Sequence, residues 1–269
     1  MRKKQQDSPL SLLFKDNVIA KDLINHVLNL PEVIKAEDLL EGDTRETGKY
    51  RGKQKSFFRT RYRDVMKQIR NERRILIVGV ENQHRCDPIM PLRVVEGELL
   101  DYTRQYAEIR LQHRREWKDE NGNKKIPDDV DFDEYKAGFL WTDRLIPVTT
   151  IVVYWGRDPW RGPKHFRGLL KNGEDVKTIE SEMVVLDVCR MSNEEIMTWD
   201  MDLRTVFWIT KYAEDEDKLF AYMKENSAYV ENVPELIYDA IESTTGSTAL
   251  KLLRSRMKTE EGDEDEVRI

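Results

Sequence analysis

Apolar residues recur at helical spacing near the start of the chain and again before its middle. Residues 12–30 carry such a stripe, and Pro31 ends it. A second helix is predicted to begin near Pro88 and Pro91 and to end near Trp117. Its apolar residues lie three or four positions apart: Leu92, Val95, Leu99, Tyr102 and Tyr106. We expect this second stripe to be the buried face of a long helix.

Strand-like stretches lie between and after these two helices, at residues 39–44, 57–69, 74–81, 146–155 and 183–188. The second stretch is expected to continue past Asp64 without interruption. The fourth, with the sequence IPVTTIVVYW, is the strongest strand signal because it is rich in β-branched residues. Residues 45–56 are polar, contain two glycines and favour a loop or an irregular hairpin.

The chain becomes helical in pattern after residue 192. Ser192 and Glu195 have the spacing of a capping box at the start of this region. Helices are predicted at residues 193–212, 215–226, 233–242 and 248–258. We therefore expect an α/β fold with a mixed sheet at residues 10–191, a helical region at residues 192–258, and an acidic tail of disordered composition at residues 259–269.

Charge is abundant and unevenly distributed. The 269 residues include 45 Lys and Arg against 51 Asp and Glu, a net charge of −6. Between Arg45 and Arg74, however, twelve basic residues stand against three acidic ones, a local balance of +9. Such a block attracts a phosphate backbone, so the negative total does not exclude a nucleic-acid partner. A solvated, charged hairpin face is the structural alternative.

Composition excludes several other classes of protein. The longest apolar run, residues 75–80, is far shorter than the ~18 residues that suggest a membrane span. The basic start of the chain is followed by polar residues where a secretory signal would be apolar. Two cysteines, Cys86 and Cys189, exclude a disulfide scaffold and a cysteine-rich zinc module. We expect a cytoplasmic protein without a membrane partner.

Asp64, Glu81 and Gln83 form the candidate site. Glu81 and Gln83 lie two positions apart at the end of a predicted strand, so their side chains share a face. Asp64 lies on a strand that can pair with this one through a turn at residues 71–73. Carboxylates from two neighbouring strands beside a polar amide favour Mg²⁺, which binds hard oxygen ligands and can activate water. The alternative is that these are ordinary polar strand ends.

At these residues the sequence resembles the PD-(D/E)XK nuclease family transposases, which include the Rpn family of recombination-promoting nucleases. Asp64, Glu81-x-Gln83 and the helix opening Met90-Pro91-Leu92-Arg93 carry the resemblance. Further similar segments occur in the same order, at residues 13–16 with 22–25, residues 145–156 with 159–163, and Asp202-Leu203-Arg204 with Phe207. The resemblance extends over about residues 10–215.

The resemblance implies a restriction-endonuclease-like core, a mixed sheet flanked by helices that cuts DNA with Mg²⁺ or Mn²⁺. It implies that Asp64 and Glu81 are the metal ligands. Gln83 stands where the wider superfamily has lysine, and a neutral amide can position water only by hydrogen bonds. An additional acid often comes from the first helix, and both Asp16 and Asp22 are candidates.

The basic residues supply the remaining candidates. Arg59, Arg61 and Arg63 are expected to bind the DNA backbone. Arg93 is expected either to reach a phosphate or to pair with Glu81. His84 directly follows the motif and is expected to be a surface or loop histidine.

The predicted function is that of a Mg²⁺-dependent DNA endonuclease associated with recombination or mobile elements. One alternative is a catalytically weak or inactive fold of the same kind that holds DNA or a protein. Another is a defence or toxin-like component whose acidic tail occupies the basic block. The sequence leaves open target specificity, the choice between DNA and RNA, and oligomeric state, for which a homodimer is one option.

Overall fold

The computed structural model describes residues 8–31, 33–42, 45–51, 56–62, 64–70, 75–118, 123, 125–172 and 177–246. Of residues 45–51, 56–62 and 75 it describes the backbone only. Arg63, several other members of the basic block, the helix predicted at residues 248–258 and the tail at residues 259–269 lie outside the described residues.

A mixed five-stranded sheet forms the centre of the fold. Its strands, in spatial order, are β1 (Leu39–Glu41), β4 (Val65–Arg70), β5 (Ile75–Gln83), β6 (Val148–Tyr154) and β7 (Val184–Asp187). The pairs β1–β4 and β4–β5 are antiparallel, and the pairs β5–β6 and β6–β7 are parallel. Two further strands, β2 (Arg45–Arg51) and β3 (Ser56–Tyr62), form a separate antiparallel hairpin.

Helices surround the sheet and continue after its last strand. They are α1 (Pro9–Lys15), α2 (Asn17–Leu28), α3 (Met90–Glu116), α4 (Phe132–Ala137), α5 (Asn193–Met197), α6 (Met201–Lys211), α7 (Glu216–Glu225), α8 (Ser227–Val230) and α9 (Glu235–Thr245). Short 3-10 turns occupy Ala36–Asp38, Phe166–Leu169 and Val188–Arg190. The predicted α/β class, with a mixed sheet flanked by helices and a helical C-terminal region, is confirmed.

The single helix predicted at residues 12–30 is wrong in one respect, because the chain forms two helices there. Asp16 interrupts the helical backbone with an extended conformation. Its carboxylate accepts hydrogen bonds from the N–H groups of Val18 and Ile19, which makes it the N-cap of α2. A capping interaction is local and polar, so it does not disturb the apolar stripe from which the helix was predicted.

The single strand predicted at residues 57–69 is also wrong. The chain divides near Asp64 into β3 and β4, which belong to different sheets. β3 pairs with β2, and β4 pairs with β1 and β5. Strand propensity is high on both sides of the division, so only the pairing partners separate the two strands.

One face of the sheet carries the main apolar core. There α1, α2, α6 and α9 pack on β4, β5 and β6 around fully buried residues such as Phe14, Leu23, Val78, Ile151 and Phe207. The helices after residue 192 share this core, so the predicted division at residues 191/192 separates two parts of the chain that pack together. Among the described residues, no helix has the length and apolar character that a membrane crossing requires.

α3 covers the other face of the sheet, and its buried side matches the predicted stripe only in part. Val95 is 5% exposed, and Tyr102 packs against the apolar cluster around Ile77. Leu92 and Leu99 are 41% and 49% exposed. The residues that α3 buries include the apolar Met90, Val94 and Val95 and the polar Asp101 and Gln105. The prediction is wrong for Leu92 and Leu99, because polar side chains with fixed partners also pack well on the buried side. The amide of Gln105 both donates to and accepts from the backbone of Ile146.

Candidate functional site

The pairing of β4 with β5 places Asp64 beside Glu81. Val65 pairs with Val80, so Asp64, directly before β4, lies next to Glu81 in the antiparallel register. The Asp64 Oδ2 atom accepts a 2.7 Å hydrogen bond from the backbone N–H of Asn82. This bond holds the carboxylate at the end of the sheet. The two predicted acids are therefore neighbours on the face covered by α3.

Glu81 is buried and paired with an arginine. The residue is 5% exposed. Arg93, from the first turns of α3, places Nη2 3.4 Å from Glu81 Oε2 and Nη1 2.8 Å from Asp87 Oδ2. The arginine therefore bridges a buried and a more exposed carboxylate, which offsets the cost of burying the Glu81 charge. Of the two roles expected for Arg93, the structure contains the ion pair with Glu81.

Gln83 ends β5 and lies on the same face as Glu81, because the two are separated by one residue of a strand. The intervening Asn82 points to the opposite face, where its Oδ1 accepts a 3.0 Å hydrogen bond from the indole N–H of Trp155. Within the described part of the chain, the side-chain amide of Gln83 makes no hydrogen bond. It is half-buried and available to bind water or a ligand oxygen.

The two candidate acids of the first helical segment lie on the other face of the sheet. Asp16 caps α2, and Asp22 is buried, 3.0 Å from His26 Nδ1 and accepting a 3.0 Å bond from the N–H of Asp200. Burial, together with the charge of Asp200, raises the pKa of Asp22 above its ordinary value. Both acids thus have structural partners away from Asp64 and Glu81.

The donor atoms at Asp64 and Glu81 suit a hard divalent cation. Two carboxylates, with the amide oxygen of Gln83 nearby in sequence and on the same face, match the ligand types that Mg²⁺ and Mn²⁺ prefer. In the described ranges, no group of three or more His, Cys, Asp or Glu side chains is arranged to hold a metal. Mg²⁺ usually takes one or two carboxylates from a protein, and water or a phosphate supplies its remaining ligands.

His84 lies in the loop after β5 and is exposed, which confirms its predicted position. Partial desolvation lowers the pKa of its imidazole, while the charge of Asp64 acts in the opposite direction. The imidazole is thus within electrostatic reach of the candidate site and is mostly neutral at pH 7.

Of the arginines predicted to bind DNA, the structure gives backbone positions for two. Arg59 and Arg61 lie in β3, opposite Gly48 and Glu46 of β2. Arg63 lies outside the described residues. Their contact with a nucleic-acid backbone remains a prediction.

Sequence reasoning overlooked a basic cleft at the ends of β5 and β6. Its lining includes Arg85, Arg157 and Arg161, from the loops that follow these two strands. The cavity has a volume of about 340 Å³. The location of these arginines in the loops after two strands could have indicated the cleft, because ligands of α/β sheets commonly bind where parallel strands end.

Neither the known protein families, nor the curated proteins, nor the solved structures with which the chain was compared provide a match.

Proposed function

We propose that this protein hydrolyses phosphodiester bonds in DNA with the help of Mg²⁺ or Mn²⁺. The observation that carries the proposal is the register of β4 and β5, which sets Asp64 beside the buried Glu81 at the end of the sheet. The succession of antiparallel strands, a long helix and a parallel strand also supports a restriction-endonuclease-like core of the PD-(D/E)XK kind. Membership of the transposase group within it is part of the same proposal.

Asp64 and Glu81 would hold the metal. The cation, when bound, polarises the phosphodiester and lowers the pKa of an attacking water. The backbone N–H of Asn82 orients the Asp64 carboxylate, because it occupies one of that carboxylate's oxygens. Gln83 orients the attacking water by hydrogen bonding. Arg93 balances the charge of Glu81.

Plasmid nicking by purified wild-type, Asp64→Asn and Asp129→Ala protein tests the proposal. Asparagine keeps an oxygen that can accept the Asn82 N–H but removes the charge. We expect Asp64→Asn to reduce the cutting rate at least about 100-fold. Removing a group that only supports a metal ligand reduces activity by up to about 100-fold, and removing the ligand itself should cost more. Asp129 is an exposed acid distant in sequence from the site, so its variant should cut normally. Undiminished cutting by Asp64→Asn would refute the assignment.

Gln83 favours a second candidate, a fold of this kind that binds DNA without cutting it. A neutral amide cannot stabilise developing negative charge as a lysine can. Calorimetry with Mg²⁺ separates the two candidates. DNA binding without a measurable heat of Mg²⁺ binding and without cleavage would favour the binding module. For the enzyme, we expect a heat of Mg²⁺ binding that Asp64→Asn abolishes. We also expect Gln83→Lys to cut DNA faster than the wild type.

A further inference from the structure

The charged residues that line the basic cleft at the ends of β5 and β6 are mostly positive. Arg85, Arg157 and Arg161 face it together with His84, and Asp158 is the acidic residue of its lining. The guanidinium group offers several donors in a planar fork that matches the oxygens of a phosphate. The composition of the cleft therefore favours an anion, and a phosphate in particular.

Two arginines of the cleft, Arg157 and Arg161, are only weakly engaged by the protein. Arg157 Nη1 donates a long hydrogen bond of 3.5 Å to the carbonyl of Lys211. Arg157 Nη2 lies 4.0 Å from Glu214 Oε1, and Arg161 Nη2 lies 3.9 Å from Asp158 Oδ1. Both acids are more than four-fifths exposed, at 86% and 85%. Such surface pairs contribute about 0–1 kcal/mol. A phosphate can therefore replace these partners at little cost.

The loop that carries Arg157 and Arg161 is held in place by hydrogen bonds at several points. The side chain of Arg190 donates to the carbonyl of Arg157 at 2.9 Å. The N–H of Trp160 donates to Asp187 Oδ2 at 2.9 Å, and the N–H of Gly162 donates to Cys86 Sγ at 3.1 Å. A loop fixed in this way loses little conformational entropy when it binds a ligand. The cleft is thus largely formed in advance.

The cleft adjoins the candidate hydrolytic site. His84 lines it and follows Gln83 directly, and the charge of Asp64 acts on the His84 imidazole. The strands β5 and β6 are parallel, so their ends and the loops after them lie at one edge of the sheet. A strand of nucleic acid lying across Asp64 and Glu81 would reach the cleft with a neighbouring phosphate.

We propose that this cleft binds a phosphate of the nucleic-acid strand whose scissile bond lies at Asp64 and Glu81. The proposal rests on the proposed function, because that function supplies the strand. It adds a contact made by Arg85, Arg157 and Arg161, which lie outside the basic block between Arg45 and Arg74.

Binding of a fluorescent duplex oligonucleotide, measured by anisotropy in Ca²⁺ across a salt series, tests the contact. We expect the double variant Arg157→Gln/Arg161→Gln to bind at least about tenfold more weakly. Its log–log salt slope should fall by about 0.9 for each lost phosphate contact on B-form DNA. The matched control is Arg114→Gln/Arg115→Gln. These exposed arginines lie at the far end of α3, about 35 Å from its start at 1.5 Å per residue.

Thermal melting checks that each variant is folded, and Arg157→Lys/Arg161→Lys should recover part of the affinity because charge is restored without the fork. An affinity and salt slope like those of the wild type in the glutamine variant would overturn the proposal. So would an absence of duplex binding by the wild type. A second experiment measures the binding of inorganic phosphate. If phosphate binding depends on these arginines while the affinity for the duplex is unchanged in the glutamine variant, the cleft is a site for a free anion.

The two proposals fail separately. Loss of duplex affinity in the glutamine variant, with no cleavage by the wild type in Mg²⁺ or Mn²⁺, would support the cleft and refute hydrolysis. Cleavage that Asp64→Asn abolishes, with affinity and rate unchanged in the glutamine variant, would support hydrolysis and refute the cleft.

Discussion

One face of the five-stranded sheet is packed by α1, α2, α6 and α9, and the other by α3. The first face holds a continuous apolar core that extends from Leu10 to Ile241. The α3 face holds two small apolar clusters, around Val152 and around Ile77, with polar groups beside them. Asp64, Glu81 and Gln83 belong to this second face. Polar side chains therefore occupy part of the surface that apolar side chains cover on the first face.

The difference suggests a division of tasks within one sheet. Apolar burial stabilises the fold roughly in proportion to area, so the larger core supplies most of the folding free energy. Some polar groups on the α3 face have a defined partner, such as Arg93 for Glu81 and Ile146 for Gln105. Substitutions on the two faces should therefore affect stability and function in different proportions.

The largest expected effect on stability comes from emptying the apolar face. Phe207 is fully buried, and its ring lies 5.7 Å from that of Trp155 and 5.0 Å from that of Trp199. Phe207→Ala should lower the free energy of unfolding by about 3–5 kcal/mol because it leaves a cavity. Urea denaturation measures this. Val18→Ala, on the exposed side of α2, is the control and should change it by less than about 0.5 kcal/mol.

A smaller loss is expected when the polar packing of the α3 face is broken. Gln105→Ala removes both hydrogen bonds to the backbone of Ile146. In one of them the Ile146 nitrogen lies 2.6 Å from Gln105 Oε1. Leaving the half-buried backbone groups of Ile146 unpaired should cost about 1–3 kcal/mol. Gln112→Ala, which removes an exposed pair with Glu116 on the same helix, should be nearly neutral by the same urea measurement. Equal losses in the two variants would mean that the buried amide has no special role.

Two substitutions in the first turns of α3 test which side of the helix is buried. Val94→Ala should cost about 1.5 kcal/mol, since two buried carbon groups are lost at about 0.8 kcal/mol each. Leu92→Ala should cost less than about 0.5 kcal/mol because the leucine is exposed. The apolar stripe in the sequence predicts the reverse order. Thermal or urea unfolding of the pair, measured side by side, distinguishes them.

The smallest effect concerns a charge on the otherwise apolar face. Burial raises the pKa of Asp22, so just above pH 3.8 the folded protein holds a proton that the unfolded chain has lost. Stability therefore falls as pH rises through this window, and the loss persists at neutral pH. Asp22→Asn should abolish this part of the pH dependence and change stability at pH 7 by less than about 1 kcal/mol, because its amide oxygen still accepts the Asp200 N–H.

Unfolding free energies of wild type and Asp22→Asn, measured from pH 4 to pH 7, provide the comparison. Parallel curves would contradict the prediction. A large loss in the variant at pH 7 would show that the contacts of the Asp22 carboxylate, including that with His26, stabilise the fold more than its burial costs.

Several elements were predictable because their signals are local. The apolar runs of β5 and β6, the prolines at the start of α3, and the capping box of Ser192 and Glu195 each require only neighbouring residues. The pairing of Asp64 with Glu81 was also predicted, because a turn of few residues between two strands leaves little choice of partner. The break at Asp16 was missed since a capping bond leaves no mark on the apolar periodicity.

The sequence by itself determined most of the helices and strands, apart from the divisions at Asp16 and Asp64, because backbone propensity and side-chain spacing are encoded locally. Only the tertiary structure decided which side of α3 is buried, that Arg93 pairs with Glu81, and that Arg85, Arg157 and Arg161 share a cleft. Burial, ion pairing and cleft formation depend on residues distant in sequence. Their free energy is gained only when the strands and helices pack together.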